Sequence, residues 1–424
     1  MSEAAALPLR GGVDDALRVG FMPLVDSATL VVAREKGFAR AEGLDLTLVR
    51  ETSWANIRDR VALGHLDAAH MLGPMPLAAS LGIGRDAIPM VAPFALGLGG
   101  NAITLARDLH DAMRMAAPDR DAFARHEPAA VGRALAVVLG ERRTPPTLAV
   151  VHPFSAHHYE LRYWLAASGI DPDNDVRLTV VPPAASVDAL REGRIEGFCA
   201  GEPWGSLAVD AGLGVMAVTK SALWRQGPDK VLGLRADVAE RSPERTSALL
   251  RGLYRAAQWA GDPANIAELA ALLAGDAYLA TPVPVVRRAL EGRMVRVAGA
   301  SPEAVPDFLV LSRYAATFPW LSHALWFYAQ MVRWGHAAHS AATVAVARAT
   351  YRPDLYRTAL APLAADLPRA DAKIEGALQH ITPVASRFGR LELGPDGFFD
   401  GRLFDPDHLD QYLSAMAGTV SSRA

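Results

Sequence analysis

One supersecondary unit occurs twice in this chain, at residues 64–76 and again at 193–204. The first copy runs from Gly64-His-Leu-Asp-Ala-Ala to Gly73-Pro-Met-Pro76. The second runs from Gly193-Arg-Ile-Glu-Gly-Phe to Gly201-Glu-Pro-Trp204. Each reads as a helix closing at a glycine, a short apolar strand, and a Gly/Pro-rich loop at the carboxyl end of that strand. A glycine closes a helix well because it enters the left-handed region without a Cβ penalty. In open α/β sheets the carboxyl ends of the strands are where ligands bind. A chain that builds this unit twice is expected to have two lobes facing each other across a cleft, and to bind a small molecule there.

The segments around each copy extend the pattern. Leu17–Met22 reads as a strand, and Asp26 or Ser27 is placed to cap the helix after it, because a short side-chain oxygen accepts from an orphan N–H. A strand at Leu44–Val49, a helix from Trp54 to Leu63, and strands at Leu66–His70 and Pro89–Ala95 follow. The β-α-β-α-β order implies a parallel sheet with right-handed crossovers. The second half repeats it: strand 147–151, helix 156–167, strand 176–181, helix 186–192, strand 195–199. Residues 108–135 between them read as helices. Asn101–Leu105 and Val231–Leu234 are expected to be the two passes of chain that join the lobes. Ser242-Pro-Glu marks a helix start with proline at its first position, and helices with proline breaks continue beyond Ala345.

Composition narrows the function classes. With 51% hydrophobic and 21% charged residues the chain is of globular type, and its 424 residues suffice for more than one domain. The formal net charge of -3 gives no basic surplus for nucleic acid, and no polybasic run points to a membrane surface. A single cysteine, Cys199, excludes an internal disulfide and makes no zinc site by itself. No apolar run approaches the ~20 residues of a membrane span. Met1–Arg10 has neither a cationic start with an apolar core nor a twin arginine, so the expected location is cytoplasmic.

In sequence the chain resembles the nitrate/bicarbonate branch of two-lobed solute-binding proteins. The resemblance is carried by Gly20-Phe-Met-Pro-Leu-Val-Asp-Ser-Ala28, Ser53-Trp54, His70-Met-Leu-Gly-Pro-Met-Pro76, Arg162-Tyr-Trp-Leu-Ala166, Val181-Pro-Pro183 and Gly197-Phe-Cys-Ala-Gly-Glu-Pro-Trp204. Further matches are Leu234-Arg-Ala-Asp237, His323-Ala-Leu-Trp-Phe327, Arg333-Trp-Gly335, Phe398-Phe-Asp-Gly401 and Phe404-Asp-Pro406. It implies an α/β, type II periplasmic-binding-protein-like fold with two parallel-sheet lobes, a hinge and a helical C-terminal extension. The expected division is a flexible tail over 1–16, lobe I over 17–105 plus 232–345, lobe II over 106–231, and an extension over 346–424 packing on lobe I.

The same resemblance implies a pocket for nitrate or nitrite. Burying a small anion needs a compensating cation and several donors. Lys230, in Pro228-Asp-Lys-Val231, matches the lysine that would supply the charge. Bicarbonate-binding relatives look acidic at this position, so a lysine points to nitrate or nitrite. His157 matches a histidine at the first helix of the second lobe, and Trp54 a tryptophan whose indole N–H can donate. Ala200 and Gly201 match backbone donors after the second lobe's strand, and Pro183 a wall residue. Asn101 stands where the family usually has glutamine, and is one methylene shorter. His152, His157 and His158 could suggest a metal, but lack carboxylate or thiolate neighbours at suitable spacing, so no cofactor is expected. Glu202 is expected to pair with an arginine or cap a loop, and Cys199 to pack as a small apolar residue.

Three function classes follow. The resemblance together with the N-terminal sequence favours a cytoplasmic nitrate/nitrite sensor of the NasS type, whose lobe closure releases an RNA-binding antiterminator of the NasT type. The alternative is the solute-binding receptor of a nitrate ABC transporter. An enzyme is disfavoured, because no nucleophile–base pair and no phosphate-binding glycine loop is legible.

Overall fold

The computed structural model describes residues 16–417. The tail expected over 1–16 lies, apart from Ala16, outside the described residues. Lobe I is built on strands β1 (Leu17–Phe21), β2 (Leu46–Arg50), β3 (Ala68–Leu72) and β4 (Met90–Ala95). A two-residue strand, β5 (Leu98–Gly99), leads out of it. Lobe II contains β6 (Asn101–Ala106), β7 (Thr147–Val150), β8 (Arg177–Val180), β9 (Gly197–Gly201) and β10 (Gly214–Thr219). Strand β11 (Lys230–Arg235) returns to lobe I.

The two sheets share one plan. Lobe I runs β2-β1-β3-β11-β4 and lobe II runs β8-β7-β9-β6-β10. In each sheet the first three strands are parallel, joined by helices, and the fourth is antiparallel to both of its neighbours. The sheets are therefore mixed, where the β-α-β order implied purely parallel ones. The reason is the double connection between lobes. Each pass of chain enters a sheet from the hinge end, so it must run against the strands that point toward the hinge. Asn101–Leu105 and Val231–Leu234 are accordingly strands within sheets.

The crossings lie earlier than expected, at 97–100 and 227–229. They run side by side, with Gly99 N–H donating to Gly227 O at 3.0 Å. Gly99 has φ +78°, and a Cβ there would lie 2.3 Å from Phe308 O, so only glycine fits this contact. The lobe boundaries expected at 105/106 and 231/232 move accordingly, because β6 already belongs to the second sheet and β11 to the first.

Each lobe has its own core. Val19, Phe21, Val31, Leu232, Leu250 and Leu253 lie in lobe I; Ile103, Leu148, Leu161, Trp164 and Cys199 lie in lobe II. Cys199 thus packs as a small apolar residue, and burial pushes its thiol well up. A third cluster joins the facing surfaces, where Leu24, Trp54 and Val231 meet Ala149, Val151 and Ala200. The lobes are closed on one another.

The C-terminal extension departs from expectation. Its first part packs on lobe I: helix Pro353–Leu360 lies against helix Pro243–Ala260, and Tyr351 donates to Gly73 O at 3.1 Å. Residues 397–400, however, cross to lobe II. Phe399 N–H donates to Leu223 O at 2.9 Å, Arg225 N–H to Gly397 O at 3.1 Å, and Tyr163 to Asp400 at 2.9 Å. Phe398 stacks on Trp224 with ring centroids 4.6 Å apart. Trp326, from helix Leu321–Arg333, joins the same aromatic block. The extension straps both lobes because its apolar side chains complete a core that neither lobe fills by itself.

Candidate functional site

The plan of the sheets decides what meets in the cleft. Strands β1, β3 and β9 end there, and the crossing strands β6 and β11 begin there, with Asn101 and Lys230 as first residues. Two helices also start at the cleft. Helix Trp54–Ala62 is capped by Ser53, whose Oγ accepts from Asn56 N at 3.2 Å. Helix Ala156–Ala167 is capped in the same way by Ser155, which accepts from His158 N at 3.0 Å. These caps place Trp54 and His157 in the first turn of their helices.

Lys230 is the centre of the group and is 1% exposed. Its Nζ lies 2.5 Å from Asp229 Oδ2 and 2.9 Å from Asp26 Oδ2. The ammonium also sits over the indole of Trp54, 5.6 Å from the ring centroid. Asn101 Nδ2 donates to Asp229 Oδ2 at 3.4 Å, and His157 Nε2 approaches the same oxygen to 4.0 Å. On the other side His70 Nε2 lies 3.2 Å from Asp26 Oδ1, and its ring meets Trp54 edge-on. Gly201 closes the ring across the lobes: a Cβ there would stand 3.4 Å from Asp26 Oδ2. Backbone contacts add a seam, with Val25 N–H donating to Glu202 O at 2.9 Å.

Buried charge survives here by pairing. Burial by itself would raise the Asp26 carboxyl, but Lys230 and then His70 outweigh it and hold it well below the usual carboxylate range. Asp229 is lowered in the same way, with Lys230 again the main opponent of burial. Lys230 is raised in turn, because the two carboxylates overcome its desolvation. His157 goes the other way: burial brings it down to about 3, against the pull of Asp229. Several polar atoms of the group have no hydrogen-bond partner among the described residues: both ring nitrogens of His157, Nε1 of Trp54 and Oδ1 of Asn101. Such atoms are costly unless a ligand engages them.

Of the residues singled out from sequence, Trp54, Asn101, His157, Gly201 and Lys230 converge. Ala200 lies beside Gly201 in β9 and packs in the cluster between the lobes. Pro183 begins a buried 3-10 turn after β8 and is not among the groups that pair with Lys230. Three members were missed as ligands of the centre. Asp26 was assigned to a helix cap, but neither it nor Ser27 caps by its side chain; Asp26 turns to Lys230. Asp229 adjoins the lysine in Pro228-Asp-Lys, and His70 lies within β3. The signal for Asp229 was its position at the cleft end of a strand; His70, in mid-strand, was marked only as a polar residue in an apolar run.

Neighbouring polar residues have other work. Glu202 accepts from Ser206 N at 3.2 Å, which caps the helix after β9, and burial pushes its carboxyl up to about 7. His158 accepts from Arg162 Nε at 2.8 Å, and His152 accepts from Phe154 N. Among the described residues no group of three His, Cys, Asp or Glu is arranged to hold a metal ion. No helix among them is long and apolar enough to cross a membrane.

Comparison with known proteins places this geometry. The model of the NMT1-like family matches residues 12–274. The chain belongs to the NMT1-like family. The nitrate/nitrite binding protein NrtA of Synechococcus elongatus is 35% identical over 407 residues, spanning 94% of this chain and 85% of that one. The bicarbonate-binding protein CmpA of the same organism is 30% identical, spanning 96% and 89%. The crystal structure of the periplasmic nitrate-binding protein NrtA from Synechocystis PCC 6803 superposes with a TM-score of 0.79 at 29% identity, covering 95% of this chain and 98% of that one. The two-lobed, periplasmic-binding-protein-like fold is therefore that of this NMT1-like chain, and the relatives named here are nitrate/nitrite- and bicarbonate-binding proteins.

Proposed function

We propose that this protein binds nitrate or nitrite between its closed lobes, as a solute-binding receptor of the kind that serves an ABC transporter. The observation that carries the reading is Lys230. It is a fully buried cation at the meeting point of both lobes, facing the indole of Trp54. A planar monovalent anion has three oxygens that can accept. Donors available within the group are the Lys230 ammonium, the Trp54 Nε1–H, the imidazole of His157 and the amide of Asn101. The backbone at Gly201 can approach closely because it carries no Cβ. The relatives named above bind nitrate, nitrite or bicarbonate, and the lysine supports the first two over the third.

The role favoured from sequence, a cytoplasmic sensor holding an antiterminator, uses the same pocket and takes second place to the receptor, which was the alternative there. The relatives that match over nearly the full length of both chains are named as nitrate/nitrite- or bicarbonate-binding proteins, one of them periplasmic, and this supports the receptor role first. Calorimetric titration with nitrate, nitrite and bicarbonate tests the pocket. Binding of nitrate or nitrite in preference to bicarbonate is expected; bicarbonate alone, or none of the three, refutes it. Cell fractionation then separates the roles: recovery outside the cytoplasm supports the receptor, and recovery in a cytoplasmic complex dissociated by nitrate supports the sensor.

A further inference from the structure

The charges of the cleft do not balance for an anion. Lys230 contributes one positive charge, and Asp26 and Asp229 two negative ones. Counted over these three side chains the group carries a negative excess, all of it buried, with the His70 imidazole 3.2 Å from Asp26 Oδ1 as its further neighbour. A monovalent anion placed among these residues adds to that excess. Uncompensated charge of this kind is not tolerated in a protein interior, so something positive must enter with the anion.

We propose that the cleft takes up a proton together with its anion, and that the imidazole of His157 receives it. The inference rests on the anion-binding reading above. Four observations single out His157. First, the ring is fully buried and neither nitrogen has a hydrogen-bond partner among the described residues, so both can donate once protonated. Second, the ring stands at the edge of the charge group, with Nε2 4.0 Å from Asp229 Oδ2. Third, Lys230 is already charged, and the two carboxylates are held in their ionised form by Lys230. Fourth, the ring lies in the first turn of helix Ala156–Ala167, whose positive end helps keep it neutral until an anion arrives.

The groups facing His157 come from every element around it. Asp229 and Asp26 favour its cation; Lys230 and Lys220 oppose it. Glu160, one turn along the same helix, pairs with Lys220, yet burial lifts its carboxyl to about 7, so the His157→Asn variant below is what separates the two groups. Without an anion, burial wins and the ring is neutral at physiological pH. A unit negative charge arriving about 4 Å away, at an effective dielectric of about 20, shifts the protonation equilibrium about a thousandfold toward the cation. The sign follows: the imidazole pKa is higher in the bound state than in the free state. Affinity therefore rises as pH falls through the bound-state value and levels off above it. A doubly charged anion of similar size leaves one more negative charge than a single proton offsets, so the same device selects against dianions.

The test is calorimetric titration with sodium nitrate at several values between pH 5.5 and 8, in buffers of different ionisation enthalpy, with and without added calcium chloride. The expected result is an observed enthalpy that depends on the buffer, equivalent to a substantial fraction of one proton taken up at pH 6. Affinity should tighten about fourfold from pH 8 to pH 5.5, with no requirement for calcium. In His157→Asn, which keeps an amide donor but cannot titrate, the buffer dependence should vanish and the pH profile flatten. Nitrate binding with a buffer-independent enthalpy and a flat pH profile overturns the inference while leaving the proposed function intact. Binding that requires calcium in place of a proton overturns it too, and undiminished proton uptake in a folded, nitrate-binding His157→Asn overturns the assignment to that ring. Should the variant not fold, the wild-type proton count still decides. No nitrate binding at any pH refutes the function itself and the inference with it.

Discussion

Replacing Lys230 by methionine removes the one cation between Asp26 and Asp229 while keeping most of the side-chain volume. Breaking a buried ion pair from one side costs about 3–5 kcal/mol, because the remaining charge is left uncompensated. Unfolding entropy of about 2.1 cal/mol/K per residue gives about 0.9 kcal/mol/K for 424 residues, so Tm should fall by about 3–6 °C at pH 7. The pH dependence carries a sign. In the wild type both carboxyls have folded-state pKa values below the ordinary 3.8, so their contribution is present above that value and lost as pH falls below it. In the variant burial is unopposed by Lys230 and the folded-state values rise. The carboxylates then cost stability as pH rises, and the gap between variant and wild type should be wide at pH 7–8 and narrow toward pH 4–5. Scanning calorimetry across that range measures it. Losing a charged hydrogen bond should also weaken nitrate about 10–100-fold. Combining Lys230→Met with Asp26→Asn and Asp229→Asn should recover Tm without recovering nitrate binding. A variant within about 1 °C of wild type at pH 7, or a gap that does not change with pH, refutes the charge argument.

Two further outcomes are expected. Trp54→Phe keeps an aromatic wall but removes the unpartnered Nε1–H; nitrate affinity measured by calorimetry should fall about 2–10-fold with little change in Tm. Phe398→Ala empties a position stacked on Trp224, and thermal denaturation should show a loss of about 3–5 kcal/mol.

Much of the fold was legible because it repeats. The two Gly-strand-loop units mark β3 and β9, and the helices at 54–62 and 156–167 begin at Ser caps. Strand ends were less legible: Leu66–His70 moved to Ala68–Leu72, and Ile195–Cys199 to Gly197–Gly201. The antiparallel crossing strands could not be read from periodicity, since a buried strand carries no mark of its direction. In the site, residues that donate to an anion were recognised by type. Asp26 and Asp229 were not, because a carboxylate beside an anion looks wrong until the intervening lysine is seen. The path of residues 397–400 onto lobe II was equally hidden: Phe398-Phe-Asp-Gly401 shows aromatic side chains, and only the folded chain shows that Tyr163, Trp224 and Trp326 await them.

That strap bears on rates. Tyr163, Trp224 and Phe398 bind the lobes together on one side, so any parting of the lobes must pivot there and open at the opposite edge. Reaching Lys230 requires such an opening, since the residue is sealed when the lobes meet. If the open form is populated at about 1%, association is slowed about a hundredfold, and escape is slowed by the same gate. A ligand once enclosed stays until the lobes part at that opposite edge. Handing that ligand on then depends on whatever holds the free edge apart.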